Sequence, residues 1–271
     1  MQLNPTIQTM LNRKSIRKFT SEQPSDEIIN TIVQAGQQAP FASQLGSLLL
    51  SRNSNKHPFK APLLFTICVD AHKWELIMER RDWQMLADDL MLLVMGMQDA
   101  ALMAQNMVIA AESFDMGSCF LGAAPFHAQK IIKQFNLPAR IFPMVQLAIG
   151  YPAEDPRPRP RYPLEFVLFE DQYPDFSDNT IQDAMDQMDQ GYLEQDYYQN
   201  NQAMIKLTGG QKENYTYENY SWTEHICRKW GQQFFPNSLI DQLEICGFNI
   251  TRVMEDKPVD NQDSQPLNLQ E

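Results

Sequence analysis

Between Leu90 and Ala111 the sequence is almost uniformly apolar, broken only by Gly96, Gln98, Asp99, Gln105 and Asn106. Those polar groups would be costly in hydrocarbon, so the run predicts the buried helix of a folded domain and not a membrane span. A helix apolar on every side belongs in a core. Its methionines, Met91, Met95, Met97, Met103 and Met107, read as adaptable core filler. With 271 residues, 43% of them hydrophobic, the chain can bury a substantial core around this helix.

The rest of the pattern is mixed helix and short strand. Ser25, with Asp26 and Glu27 in the first turn, starts a helix whose apolar positions Ile28, Ile29, Ile32, Val33 and Gly36 repeat at helical spacing up to about Gln38. Strands are expected at Ser47 to Ser51, Leu63 to Val69, Cys119 to Leu121, Pro143 to Gly150 and Leu164 to Glu170. Helices are expected at Thr6 to Leu11, Arg80 to Met116, His127 to Phe135, Asn179 to Asn201 and Asn237 to Ile245. Ser221-Trp222-Thr223-Glu224 has the form of a capping box opening one more. The composition turns rich in Gln, Asp, Asn and Tyr after Tyr173, which divides the chain into a core over 1–174, a helical excursion over 175–254 and a disordered tail over 255–271.

With 34 acidic and 22 basic residues the net charge is −12, which repels phosphate backbones and anionic membrane surfaces, so neither nucleic acid nor membrane is expected as a partner. An anionic ligand must be held by local basic clusters. There are two, Arg13 to Lys18 and Arg157 to Arg161. If Arg13 to Phe19 is extended, Arg13, Ser15 and Arg17 project from one side. Arg159 and Arg161 also alternate, in a loop stiffened by Pro156, Pro158, Pro160 and Pro163. Paired guanidinium groups suit a phosphate better than a mobile lysine does.

Other chemistries find no support. The four histidines lack ligand spacing, so no metal is assigned, and G-x-S-x-G, G-x-G-x-x-G and P-loop motifs are missing. Cys119 reads as a small core residue, with no basic neighbour in sequence to lower its pKa. Four scattered cysteines and the lack of a basic and apolar leader in Met1 to Met10 give the expectation of a cytoplasmic protein. Gly117-Ser118-Cys119-Phe120-Leu121-Gly122-Ala123 would let a planar ring approach the backbone closely.

Taken in order, Arg13-Lys14-Ser15-Ile16-Arg17-Lys18-Phe19, Ala39-Pro40 followed by Ser43-Gln44, Gly117 to Gly122, and Leu147-Ala148-Ile149-Gly150-Tyr151-Pro152 leading to Arg159-Pro160-Arg161 resemble the FMN-dependent nitroreductases. The likeness is greatest to the branch of oxygen-insensitive nitroreductases and NADPH flavin reductases, whose C-terminal helix Trp222-Thr223-Glu224-His225-Ile226 resembles. It implies an α+β fold with a central antiparallel or mixed sheet flanked by helices, in an intertwined homodimer with a C-terminal helical extension.

By position, the resemblance implies that Arg13, Lys14, Ser15 and Arg17 hold the FMN phosphate and ribityl chain, with Arg159 and Arg161 closing over the phosphate. Phe41, Ala42 and Ser43 would face the flavin from the partner subunit. Leu121, Gly122 and Ala123 would offer backbone N–H groups near N5, and Asn55 an amide to the pyrimidine edge. The implied activity is NAD(P)H-dependent, ping-pong reduction of a small-molecule acceptor, a nitroaromatic, a quinone or free flavin, through flavin N5, so no catalytic side chain is assigned. The sequence departs from the family at Arg13-Lys14, usually His-Arg, and at Pro40-Phe41-Ala42, usually a Ser- or Asn-rich loop. Another FMN reaction (desaturation, dehalogenation or ene reduction), a non-catalytic flavin-binding role, and the choice between NADH and NADPH stay open.

Overall fold

The computed structural model describes residues 3–232 and 238–250. The expected tail over 255–271 lies outside them. The chain runs α1 (Pro5–Asn12), α2 (Asp26–Gln37), β1 (Gly46–Ser51), β2 (Leu63–Asp70), α3 (His72–Glu79), α4 (Asp89–Glu112), β3 (Gly117–Leu121), α5 (Ala128–Phe135), β4 (Ile141–Gly150), α6 (Asp178–Leu193), α7 (Tyr197–Asn201), α8 (Trp222–Gly231) and α9 (Leu239–Ile245).

The four strands form one sheet in the order β1-β2-β4-β3, every pair antiparallel. β2 is buried along its whole length because both faces are covered. On one face lie α2 and α4, where Ile29, Ile32, Met107 and Val108 pack against Phe65, Ile67, Leu147 and Ile149. On the other, Ala61, Leu64, Cys119 and Ala148 are covered by Phe19 and Leu121. The 13–19 stretch is extended as expected but joins the sheet only through isolated bridges, Ser15 to Ser118 and Phe19 to Pro152.

α4 crosses β2 closely at Gly96, where an added Cβ would lie 2.4 Å from Val69 Cγ1. Alanine is the better helix former by about 1 kcal/mol, yet overpacking a core costs about 1–3 kcal/mol. Overlap at 2.4 Å against a β-branched side chain puts Gly96→Ala at the upper end. Thermal or urea unfolding should therefore show a net loss of about 1–2 kcal/mol; a variant more stable than the parent would contradict this packing.

Several sequence expectations need correction. The helix expected from Arg80 begins at Asp89, where Asp88 accepts from Met91 N at 2.8 Å, and residues 80–88 form a turn and loop. α4 is not buried all round: Leu90 is 58% and Met91 53% exposed, because the sheet and α2 cover only one side of it. Leu164 to Glu170 is no strand but a 3-10 turn at Leu164–Phe166 followed by irregular chain. A strand needs a hydrogen-bonding neighbour, and β1 and β3 keep their outer edges apart from it, leaving Leu164, Val167 and Leu168 exposed.

The long helix expected to Asn201 breaks into α6 and α7 at Asp196, whose left-handed φ of 47° no helix interior accepts. Ser221 does not cap α8 either. Its hydroxyl donates to Asp189 O, and the Asp189 carboxylate takes Thr223 N at 2.8 Å, so α6 supplies the cap in trans. The excursion packs on tyrosine: Met188, Tyr192, Tyr198 and Tyr220 form its buried centre. α9 and the turn after it pack in a second cluster, where Leu243, Cys246 and Phe248 meet Leu92 and Phe142.

Candidate functional site

The first basic cluster, the proline-stiffened loop and the start of α7 meet around one cavity of about 620 Å³. Ser15, Arg17 and Lys18 form one wall, Glu154, Arg157 and Arg159 a second, and Gln195, Tyr197 and Asn201 the roof. The left-handed residues Asp196 (φ 47°) and Gln202 (φ 48°) bracket α7, and Tyr197 at its start lies under the Arg159 guanidinium.

Arg159 is fixed without being neutralised. Its Cζ lies 4.0 Å from the centre of the Tyr197 ring, and Nη1 donates to Gln195 Oε1 at 2.6 Å. Gln195 in turn donates to Pro158 O at 3.0 Å, clamping the loop at the residue before the arginine. Burial, with the nearby Arg17 cation, pushes the Arg159 guanidinium down from its ordinary value, Tyr197 opposing. It stays a cation at neutral pH. Among the described residues neither Arg17 nor Arg159 forms a salt bridge with a carboxylate. Glu154 is nearby, but its Oε1 accepts from the backbone, Arg17 N at 2.5 Å and Lys18 N at 3.0 Å, and so sets the turn of the chain.

The remaining expected residues are dispersed. Arg13 does not line this cavity; its charge is felt by Glu112 and Cys119. Lys14 turns away to pair with Asp155. Arg161 donates to its neighbours' carbonyls, Arg159 O and Pro160 O, at 2.9 Å each, and is exposed. Asn55 is exposed in the turn Ser54–Lys56. Leu121 ends β3, with Gly122 and Ala123 exposed just beyond it. Phe41, Ala42 and Ser43 lie in an exposed loop between α2 and β1, beside other cavities.

Sequence reasoning missed the roof. Gln195 and Tyr197 sit in a segment that reads as ordinary polar helix, and only its unusual density of tyrosine hints at a packed surface. It also missed that the first cluster surrounds Cys119. Arg17 and Arg13 draw its thiol pKa down, yet burial outweighs them and pushes it up, so the thiol reading stands on different grounds.

A family model described as Nitroreductase family matches residues 10–151, more than half of the chain and all four strands. The chain belongs to the nitroreductase family. It is 29% identical over 264 residues to the FMN reductase (NADPH) of Bacillus subtilis, covering 91% of this chain and 99% of that one. To the NADPH-flavin oxidoreductase of Vibrio harveyi it is 31% identical over 204 residues, 70% of this chain and 83% of that one. Among solved structures, the NfrA1 nitroreductase of B. subtilis superposes with a TM-score of 0.75 at 27% identity, covering 90% of this chain and 99% of that one. At 90% of this chain, the match extends beyond the four-stranded core into the excursion.

Proposed function

We propose that this chain is an FMN-dependent oxidoreductase that uses NAD(P)H to reduce nitroaromatics, quinones or free flavin. The observation that carries the reading is the meeting of Arg17 and Arg159, separated by most of the fold, at one cavity where, among the described residues, neither forms a salt bridge. Family membership and relatives named as NADPH-dependent flavin reductases and nitroreductases support the same reading.

The residues present fit such a cofactor. Guanidinium groups and a hydroxyl at Ser15 are the donors a phosphate monoester takes. FMN, when bound, supplies hydride transfer, which no side chain here can. The chain's part is placement and charge. Arg17 and Arg159 would neutralise the phosphate, Tyr197 and Gln195 hold the Arg159 guanidinium in place for it, and the backbone N–H groups of Gly122 and Ala123 would serve as donors to the ring. Arg13, Arg161 and Asn55 are assigned to the same cofactor from the family pattern, with Arg161 needing to swing inward.

The working unit is a homodimer. The outward face of α4, with Leu90, Met91 and Leu102, and the apolar stretch at Leu164, Val167 and Leu168 are what a second copy would cover. The division into a core over 1–174 and an excursion over 175–254 is the accompanying domain reading.

Freshly purified protein should be yellow and should consume NADH or NADPH when a nitroaromatic, quinone or flavin is added. Protein that FMN cannot reconstitute would defeat the reading. Rapid reduction of bound flavin with no transfer to any of these acceptors would keep the cofactor and point to a different reaction, such as desaturation or dehalogenation.

A further inference from the structure

Asp99 is an anomaly in α4. It is 3% exposed on a helix otherwise packed by apolar side chains, a setting in which a carboxylate is costly unless its oxygens are filled with hydrogen bonds. Three backbone N–H groups fill them: Ala42 N at 2.6 Å, Leu45 N at 2.9 Å and Ser43 N at 3.2 Å. The same loop is gripped from α3, where Trp74 Nε1 donates to Ser43 O at 2.6 Å and Lys73 Nζ to Gly46 O at 2.6 Å.

The loop so held is exposed at Phe41, Ala42, Ser43 and Gln44, with Gln44 in the left-handed region at φ 50°. Core packing fixes its end, where Leu45 is 2% exposed, but not Phe41 to Gln44. Ordering exposed residues costs conformational entropy with no burial to offset it, so such rigidity asks for another reason. An aliphatic residue at 99 would satisfy α4; a carboxylate satisfies the loop. Phe41 to Ser43 also do not line the Arg17 and Arg159 cavity of their own chain, whose walls and roof come from other segments. They lie on the α4 side of the fold, where the helix presents uncovered apolar surface.

We propose that Asp99 is a positioning residue that works across the subunit seam, fixing the Phe41 to Ser43 loop so that it completes the cofactor site of the second copy. This rests on the FMN-binding homodimer proposed above. Asp99 touches no cofactor; its effect passes through the three amides.

Asp99→Asn keeps the shape but turns an NH₂ toward the loop donors. The amides of Ala42, Ser43 and Leu45 should exchange with solvent at least about tenfold faster, and FMN should bind about tenfold or more weakly. Complementation then tests the seam. In a heterodimer carrying Asp99→Asn on one chain and Arg159→Ala on the other, a loop acting in trans leaves one site with both native elements. That heterodimer should bind one FMN with a Kd within threefold of wild type, although both parent homodimers bind weakly. If it has no tight site, or if the amides exchange faster while FMN affinity is unchanged, the proposal is overturned and the assigned function stands. Wild-type protein that binds no FMN would overturn both. Should Asp99→Asn fail to fold, Ala42→Pro removes one donor without touching α4 and takes its place in the same heterodimer.

Discussion

Replacing Arg159 by alanine is expected to weaken FMN binding about 30- to 1000-fold. Truncating one member of a desolvated, hydrogen-bonded charge pair costs about 2–4 kcal/mol, and each 1.4 kcal/mol is tenfold in affinity. Arg159 belongs at the strong end of surface-accessible cations because it is held before any ligand arrives, by the Tyr197 ring and Gln195. Pre-ordering removes the entropy that a mobile side chain loses on binding. A net charge of −12 gives no long-range help to an anion, so the loss cannot be made good by the rest of the surface. Arg159→Lys should fall between, keeping charge but losing the planar fork. Fluorescence titration at fixed ionic strength reads the result; a Kd within threefold of wild type for the alanine variant would remove this arginine from the phosphate site.

The second large effect concerns stability. Arg228 in α8 is 4% exposed and binds Glu213 through both terminal nitrogens at 2.7 Å, Glu224 through Nε at 2.7 Å and Ile205 O at 2.7 Å, between the rings of Tyr215 and Tyr220. It therefore ties the 203–219 connection to the helix that follows. Arg228→Leu restores apolar bulk but strands the Glu224 carboxylate and the Ile205 carbonyl, at a cost of roughly 2–4 kcal/mol. For a chain of this size that is a fall in Tm of about 4–16 °C.

The same interaction has a pH signature. Hydrogen bonds from Arg228, then the Tyr215 amide, hold the Glu213 carboxyl down from 4.5 to about 2. Its folded pKa lies below the unfolded one, so its contribution is complete above about 4.5 and fades as pH falls through about 2. The stability gap between wild type and Arg228→Leu should therefore narrow over that interval, by the share that the Glu213 pairing contributes. A gap constant down to pH 2 would mean that the Glu213 pairing contributes nothing.

Much of this molecule is legible in the sequence, for reasons that differ by element. α2 is written by Ser25 and by apolar spacing, both local, and the structure starts and ends it where those signals stand. β2 is legible as a continuous apolar run. Leu164 to Glu170 fails because strand propensity is a statement about fitting a sheet, and no edge takes it. α3 was not anticipated, since His72 to Glu79 is short and half exposed, with no side-chain cap to announce it. At the cavity, Arg17 and Arg159 belong to the two basic clusters that residue chemistry picks out. Tyr197, Gln195 and Asp99 were not, because each acts on a partner between 36 and 57 residues away or is recognisable only by the backbone it meets. Asp99 in particular looked like a mere interruption of an apolar run; its meaning lies in amides that carry no sequence identity.

The cavity's walls and roof come from stretches with separate sources of stability, the sheet-backed core below and the tyrosine-packed excursion above. A molecule seated between Arg17 and Tyr197 spans that division, and thermodynamic linkage then makes its occupancy tighten the excursion onto the core. The roof thereby doubles as a gauge: how readily residues 194–201 open, followed by proteolysis or amide exchange, reports how full the cavity is, independently of any chemistry performed inside it.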